Sequence, residues 1–313
     1  MTSRMPPEPV PLRRLGTTGV EVSALGLGGY HIGSIGTERQ AISLIRMAID
    51  EGITFLDNAW EYHEGKSETR MGKALAGGWR ERAFLMTKCC THGRDGKTAM
   101  RQLEQSLKRL RTDYLDLWQI HEVVYATDPA RHFAPGGAAE ALLKAKEQGK
   151  VRFIGFTGHK DPALHLEMLS HEFPFDTCQL PLNCFDASFR SFERRVLPEL
   201  HAQGIAPIGM KSLGDGRAVK KRAVSAAEAL AYAMSLPVAT TVSGIDSMRV
   251  LRQNLRVAQG FEPLSDIEMQ RLRSRVSEVA HDGRFELYKT TATHDGKIGR
   301  QEHGFPDEEE LGG

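Results

Sequence analysis

A chain of 313 residues with 40% hydrophobic and 26% charged residues has the composition of a globular protein, long enough for one large barrel or two smaller domains. Lys+Arg 41 against Asp+Glu 40 leaves a formal net charge of +1, which gives no electrostatic basis for nucleic acid or an anionic membrane as partner. No apolar run approaches the ~18 residues of a membrane span. Cys89, Cys90, Cys178 and Cys184 show neither CxxC nor metal-ligand spacing, so reduced thiols in a cytoplasmic protein are expected. Arg13-Arg14 invites a twin-arginine export reading, but the polar Gly16-Thr17-Thr18-Gly19 that follows supplies no apolar core for a signal.

Residues 1–11, with four prolines, read as a flexible leader. Two short apolar-alternating runs, 13–15 and 20–23, flank Gly16-Thr17-Thr18-Gly19 and predict a small β-hairpin. Residues 24–27 follow as the first strand of a main sheet. Gly26-Leu27-Gly28-Gly29 superficially matches part of a dinucleotide fingerprint. No amphipathic helix follows it, and the next strand-end acid, Asp57, lies beyond the ~20 residues that a ribose contact requires, so a tight turn is expected instead.

From there helical and strand patterns alternate. Helix 38–51 leads to strand 53–56, helix 67–75 to strand 83–87, and helix 99–110 to strand 114–120. Helix 138–148, stopped by Gly149, leads to strand 151–156. Helix 162–170 leads to strand 177–180, helix 192–203 to strand 205–209, and helix 225–235 to strand 238–242. Helix 248–258 serves the eighth strand. Eight β/α units without a linker predict an α/β chain folded as one (β/α)8 TIM barrel over residues 12–280. A C-terminal helix, opened by Ser265 with Glu268 in the capping-box position, completes that unit. A polar tail, 281–313, carries Phe285, Leu287 and Tyr288 over or near the barrel mouth and ends loosely in four acidic residues, 307–310.

Side chains that do chemistry emerge at the carboxyl ends of barrel strands. There the sequence offers Asp57 after the second strand with Tyr62 in its loop, Lys88 after the third and His121 after the fourth. A phenol with an ordinary pKa near 10 is a weak acid, and an adjacent ammonium such as Lys88 lowers it. Asp57 would balance Lys88, and His121 can hold the oxygen that Tyr62 protonates. Such an acid yields an alcohol only if a hydride reaches the carbonyl carbon, which no side chain supplies, so a nicotinamide cofactor is implied. His63-Glu64 and His121-Glu122 are adjacent pairs that point to opposite sides of a chain, and no metal is expected at either.

These residues, with Leu25-Gly26-Leu27-Gly28, Asp113-Tyr114-Leu115-Asp116-Leu117 and Gly149-Lys150-Val151-Arg152-Phe153-Ile154-Gly155, resemble the aldo/keto reductase family over nearly the whole barrel. The resemblance implies a catalytic tetrad of Asp57, Tyr62, Lys88 and His121. It implies that Thr157, with Gly158 or His159 where the family has asparagine, and Gln179 hold the nicotinamide amide, and that Met210 stands where an aromatic ring usually stacks. Lys211, Ser212, Leu213 and Gly214 would follow the pyrophosphate. Gly244 replaces a lysine in the adenosine-phosphate loop, Arg249 or Arg252 could bind a 2′-phosphate, and Asn254 stands where adenine is contacted. NADP(H) is favoured over NAD(H) as cofactor.

The expected activity is NAD(P)H-dependent, reversible reduction of an aldehyde or ketone, with a small-molecule carbonyl as partner. Tyr30, Trp60 and Tyr288 are candidate substrate walls, with the loop 123–135, and Trp60 reads equally as a packed core residue. A cofactor-binding regulatory subunit with little turnover is the alternative. The oligomeric state is open on sequence grounds.

Overall fold

The computed structural model of the protein describes residues 8–90, 95–292 and 294–297. Most of the expected leader, residues 1–7, and the acidic end of the tail lie outside the described residues. Residues 8–11 pack against the barrel: Val10 is buried, Pro9 accepts a hydrogen bond from Gly260 N, and Pro11 accepts one from Ala24 N.

The expected hairpin is present as β1 (Leu12–Arg14) and β2 (Glu21–Ser23), antiparallel with Leu12 opposite Ser23. Its turn requires the glycines, because Gly16 and Gly19 sit at φ 55° and 77°. The eight barrel strands are β3 (Leu25–Gly28), β4 (Phe55–Asp57), β5 (Phe84–Cys89), β6 (Leu115–Ile120), β7 (Val151–Thr157), β8 (Thr177–Pro181), β9 (Ala206–Met210) and β10 (Thr240–Gly244). They are parallel in sequence order and close into a barrel through the β10–β3 pair. Their continuous apolar runs are the signature of strands covered on both faces.

Two layers of core follow from strand alternation. The larger packs strand residues such as Leu85, Trp118, Ile154 and Leu180 under the surrounding helices. The smaller fills the barrel interior with Phe55, Phe84, Met86, Leu117, Ala206 and Ile208, joined by Leu15 and Val22 of the hairpin. Phe84 stacks on Phe55 at 5.2 Å and on Phe153 at 6.3 Å. Phe55, Phe84 and Ala206 are the first residues of their strands, so the hairpin plugs the amino-terminal end of the barrel. Ligand access is left to the other rim.

Helix ends follow the sequence chemistry. Thr37–Gln40, Ser225–Glu228 and Ser265–Glu268 each form a reciprocal capping box. Several boundaries differ from expectation. The expected helix 192–203 is two pieces, Phe192–Arg195 and Leu197–Ala202, because Pro198 has no N–H to continue the ladder. Gly26 and Gly28 lie inside β3 and not in a tight turn, and a short helix, Tyr30–Ser34, follows at once. Gly29 at its head is required by close approach: a Cβ there would lie 2.4 Å from Asp57 O. The loop 123–135 folds a helix, Asp128–His132, against the core.

After helix Asp266–Ala280, residues 281–292 and 294–297 run back over the carboxyl rim, with Phe285, Glu286, Tyr288 and Lys289 buried. No described helix is long and apolar enough to cross a membrane.

Candidate functional site

Asp57 ends β4, Lys88 is the fifth residue of β5, and His121 directly follows β6. The strands therefore run one or two residues further than their apolar patterns suggest, and carry Asp57 and Lys88 on rigid backbone. Lys88 is 1% exposed; its ammonium donates to an Asp57 carboxylate oxygen and, at 2.7 Å, to Asn58 O. The other Asp57 oxygen accepts from Gln179 Nε2 at 2.6 Å. A buried ammonium needs such partners, and these two fix its direction.

The Lys88 ammonium lies 5.2 Å from the centre of the Tyr62 ring, and the His121 ring meets Tyr62 edge-on at 5.6 Å. The loop that presents Tyr62 is locally strained. His63 and Glu64 are at φ 51° and 57° and Gly65 at 83°, three left-handed residues in succession. His63 Nε2 meets Tyr30 O at 2.9 Å, and the Tyr30 ring stands edge-on to Tyr62 at 5.4 Å, which holds the loop from outside.

The electrostatics differ from the expectation for an isolated phenol and ammonium. Burial pushes the Tyr62 phenol well above its usual range, and the Asp57, Glu122 and Glu61 carboxylates push the same way. Whatever lowering the Lys88 ammonium contributes is outweighed by this burial and by the carboxylates around the ring. Burial pushes the His121 imidazole down to about 4, against the pull of Glu122, so the ring is neutral near pH 7.

The adjacent-pair reading of His121-Glu122 is corrected here. Glu122 adopts φ 57°, which turns its side chain back toward its neighbour, and ligand atoms of Glu61, His121 and Glu122 lie within 4.8 Å of one another. Glu61 Oε1 is 2.6 Å from His121 Nδ1, although that nitrogen makes no hydrogen bond among the described residues. Burial raises both carboxyls, Glu122 to about 7 with Glu61 beside it as the second cause. Glu61 also accepts from Cys90 Sγ at 3.3 Å. Sequence reasoning gave Glu61 no role and set Glu122 aside as pointing away from His121. The one available signal was that each adjoins a candidate catalytic residue.

The nicotinamide-side candidates gather beside this group. Thr157 ends β7 and Met210 ends β9, and Thr157 Oγ1 points at Met210 Sδ at 3.9 Å. Gln179 Oε1 is a buried acceptor with no hydrogen-bond partner among the described residues, which suits a carboxamide N–H. Gly158 has no room for a side chain: a Cβ would lie 2.3 Å from Val123 O. Lys211 sits at φ 55° with its ammonium 4.8 Å over the Tyr288 ring, Ser212 and Gly214 are buried and Leu213 half-buried. Beyond β10, Gly244 and Arg249 are exposed, the first lying under the His31 ring. Asn254 is buried, and its amide donates to Ser243 Oγ at 2.9 Å.

Two candidate substrate walls are placed differently. Tyr288 is fully enclosed and its hydroxyl donates to Glu286 Oε1 at 2.6 Å, so it is a support beneath Lys211. Trp60 turns away from the rim, donating to Gln105 Oε1 at 2.7 Å with the Arg109 guanidinium 5.5 Å over its ring. Tyr30, 57% exposed beside Tyr62, remains on the rim.

Comparison with known proteins identifies the family. The profile of the Aldo/keto reductase family matches residues 24–228. Aldo-keto reductase YhdN of Bacillus subtilis is 34% identical over 194 residues, 58% of this chain and 55% of that protein. The chain likewise spans 65% of the length of aldo-keto reductase AFTS1 of Alternaria alternata. The 6-dehydroglucose reductase of Novosphingobium aromaticivorans is 30% identical over 292 residues, 82% of this chain and 91% of the relative. Among solved structures, the thermostable aldo-keto reductase Tm1743 in complex with the inhibitor epalrestat superposes with TM-score 0.70 at 27% identity, over 85% of this chain and 99% of that one. An aldo/keto reductase from Klebsiella pneumoniae in complex with NADP and acetate shares the fold at TM-score 0.70 and 22% identity, over 85% of this chain and 95% of its own.

Proposed function

The chain belongs to the aldo/keto reductase family, and from that premise we propose that it reduces an aldehyde or ketone to the alcohol with a reduced nicotinamide cofactor, NADP(H) in preference to NAD(H). The observation that carries this reading is the meeting of Tyr62 with Lys88 and His121 at one rim, over a buried Asp57–Lys88 pair. The NADP and NADPH named with the Klebsiella pneumoniae structures, and the exposed Arg249 beyond β10, support the cofactor preference.

Thr157, Gln179 and Met210 would hold the nicotinamide at the rim, and the chemistry it would supply there is a hydride for the carbonyl carbon. The residues of this chain govern the oxygen. Tyr62, protonated at every working pH because its phenol is pushed up, gives its proton to that oxygen, and neutral His121 holds the oxygen in place. Lys88 stabilises the phenolate left behind, and Asp57 and Gln179 keep the ammonium aimed.

The test is Tyr62→Phe. Turnover of 4-nitrobenzaldehyde should fall by about 10² to 10⁴ or more, while NADPH binding followed by fluorescence is retained. Wild-type rates in this variant would end the proposal.

A further inference from the structure

The C-terminal tail is held in two unlike ways. Its first part, 281–290, buries Phe285 and Tyr288 and encloses Lys289 fully beside Asp186. The stretch that follows, 291–297, carries no large apolar side chain in its sequence. Hydrophobic burial cannot hold such a stretch down, so its polar contacts must. Lys160 ties it at two points: the ammonium donates to Thr291 O and lies 2.7 and 3.0 Å from the two carboxylate oxygens of Asp295. Asp295 is buried there, with His159 Nε2 3.6 Å away and the Tyr125 hydroxyl donating at 3.4 Å. The Lys160 side chain stays 17% exposed, whereas Lys289 is at 0%, so the Lys160 tie is the one that water can replace.

These contacts lie across the segments assigned to ligands. His159 and Lys160 follow Thr157 at the end of β7, and Gly296 N donates at 2.9 Å to Glu122, the residue after His121. Upstream, the tail presses on the pyrophosphate segment, where a Cβ on Gly214 would lie 2.5 Å from Phe285 O. With the tail in this position His121 is 6% exposed, and Thr157 and Gln179 are 1% exposed. Groups so enclosed exchange ligands with solvent only when something over them moves, and the part with the weakest hold moves first.

We propose that the tail around Asp295 is a strap over the barrel mouth, latched by Lys160 on Thr291 and Asp295, and that its release gates exchange of the nicotinamide cofactor. The inference rests on the cofactor lying beside Thr157 and Gln179, as proposed above. The base of the strap stays in place through Lys289 while its end lifts. A gate of this kind slows entry and exit alike, because it bars the path without touching the ligand, whereas a direct contact slows exit alone.

The experiment follows NADPH binding, and its displacement by excess NADP+, by stopped-flow fluorescence. Lys160→Met and Asp295→Asn should each raise the association and dissociation rates together, by about fivefold or more, while Kd changes by less than about threefold. Lys160→Arg keeps the charge and should stay within about twofold of the parent in both rates. Unmoved rates in either of the first two variants overturn the proposal. A rise in dissociation alone also overturns it, in favour of a lost contact with the cofactor, as does Lys160→Arg behaving like Lys160→Met. The readout needs no turnover, and Tyr62→Phe is run in parallel. If that variant keeps turnover, the acid assignment fails and the strap stands; if it is inactive while the strap variants exchange NADPH at parent rates, only the strap fails. A parent protein that binds neither NADPH nor NADH ends both.

Discussion

Lys289 Nζ lies 2.7 Å from Asp186 Oδ1, an ion pair with both side chains at 0% exposure. The ammonium is also 3.0 Å from Glu286 Oε2 and 2.9 Å from Phe189 O, so three partners replace water around it. Asp186 in turn accepts from Ser191 Oγ and from the backbone of Phe192 and Glu193, at the start of a helix. One carboxylate thus fixes both the segment after β8 and the C-terminal tail.

Lys289→Met removes the ammonium while keeping most of its volume, and leaves two carboxyls in a dry site. It is expected to lower stability by about 3–5 kcal/mol, the usual cost of breaking a buried pair on one side. Urea denaturation of the variant against the parent checks this, and a change under 1 kcal/mol would contradict it.

Stability should fall with acid through two histidines. Burial pushes His132 and His165 down to about 3; the backbone of Gln179 and Asp161 pulls His165 back only in part, and the His132 ring finds no hydrogen-bond partner for either nitrogen among the described residues. The unfolded chain takes up these protons near 6.5 and the folded chain refuses them until about 3. The stabilisation is present above 6.5 and is lost as pH falls through that window, at about 1.4 kcal/mol per pH unit for each histidine once below 6.5. His132→Phe should flatten the slope of unfolding free energy between pH 6.5 and 4.

Glu122 has the opposite sign. Its carboxyl keeps a proton to about 7 in the folded protein and releases it near 4.5 when unfolded. The associated stabilisation is present below 4.5 and is lost as pH rises to 7. Glu122→Gln should therefore be more stable than the parent at pH 8, by about 1–3 kcal/mol, with little difference at pH 4.5. Parallel thermal melts at the two pH values would expose the wrong sign.

Gly72 lets helix Lys66–Leu75 lie directly on helix Gly96–Leu110. A Cβ there would sit 2.3 Å from Arg109 O and 2.7 Å from Leu110 Cα, backbone atoms that cannot swing aside. Gly72→Ala should cost about 1–3 kcal/mol despite the higher helix propensity of alanine, measured by urea denaturation.

The barrel was legible because each strand is an apolar run followed by a helix with its own start and stop signals, as at Ser265–Glu268 and Gly149. Asp57, Lys88 and His121 were legible because strand ends are where such a fold presents polar groups. What escaped was set by single dihedrals and long-range partners. The φ of 57° at Glu122 reverses the alternation that kept it out of the site. Tyr288 reads as a pocket wall until Asn183 and Glu286, one of them from a distant strand end, claim its hydroxyl. The raised phenol of Tyr62 depends first on its burial and then on Asp57, Glu122, Glu61 and Tyr30, of which Glu122 and Tyr30 are brought beside it only by the fold.

The Lys289 ammonium draws its carboxylates from stretches 103 and 3 residues away in the chain. Exchanging only the last thirty or so residues for those of a relative would strand Asp186 without its counter-ion and loosen the helix it starts. Anyone grafting foreign tails onto this scaffold to broaden its repertoire must transplant the stretch after β8 in the same operation, since the two behave as one interchangeable cassette.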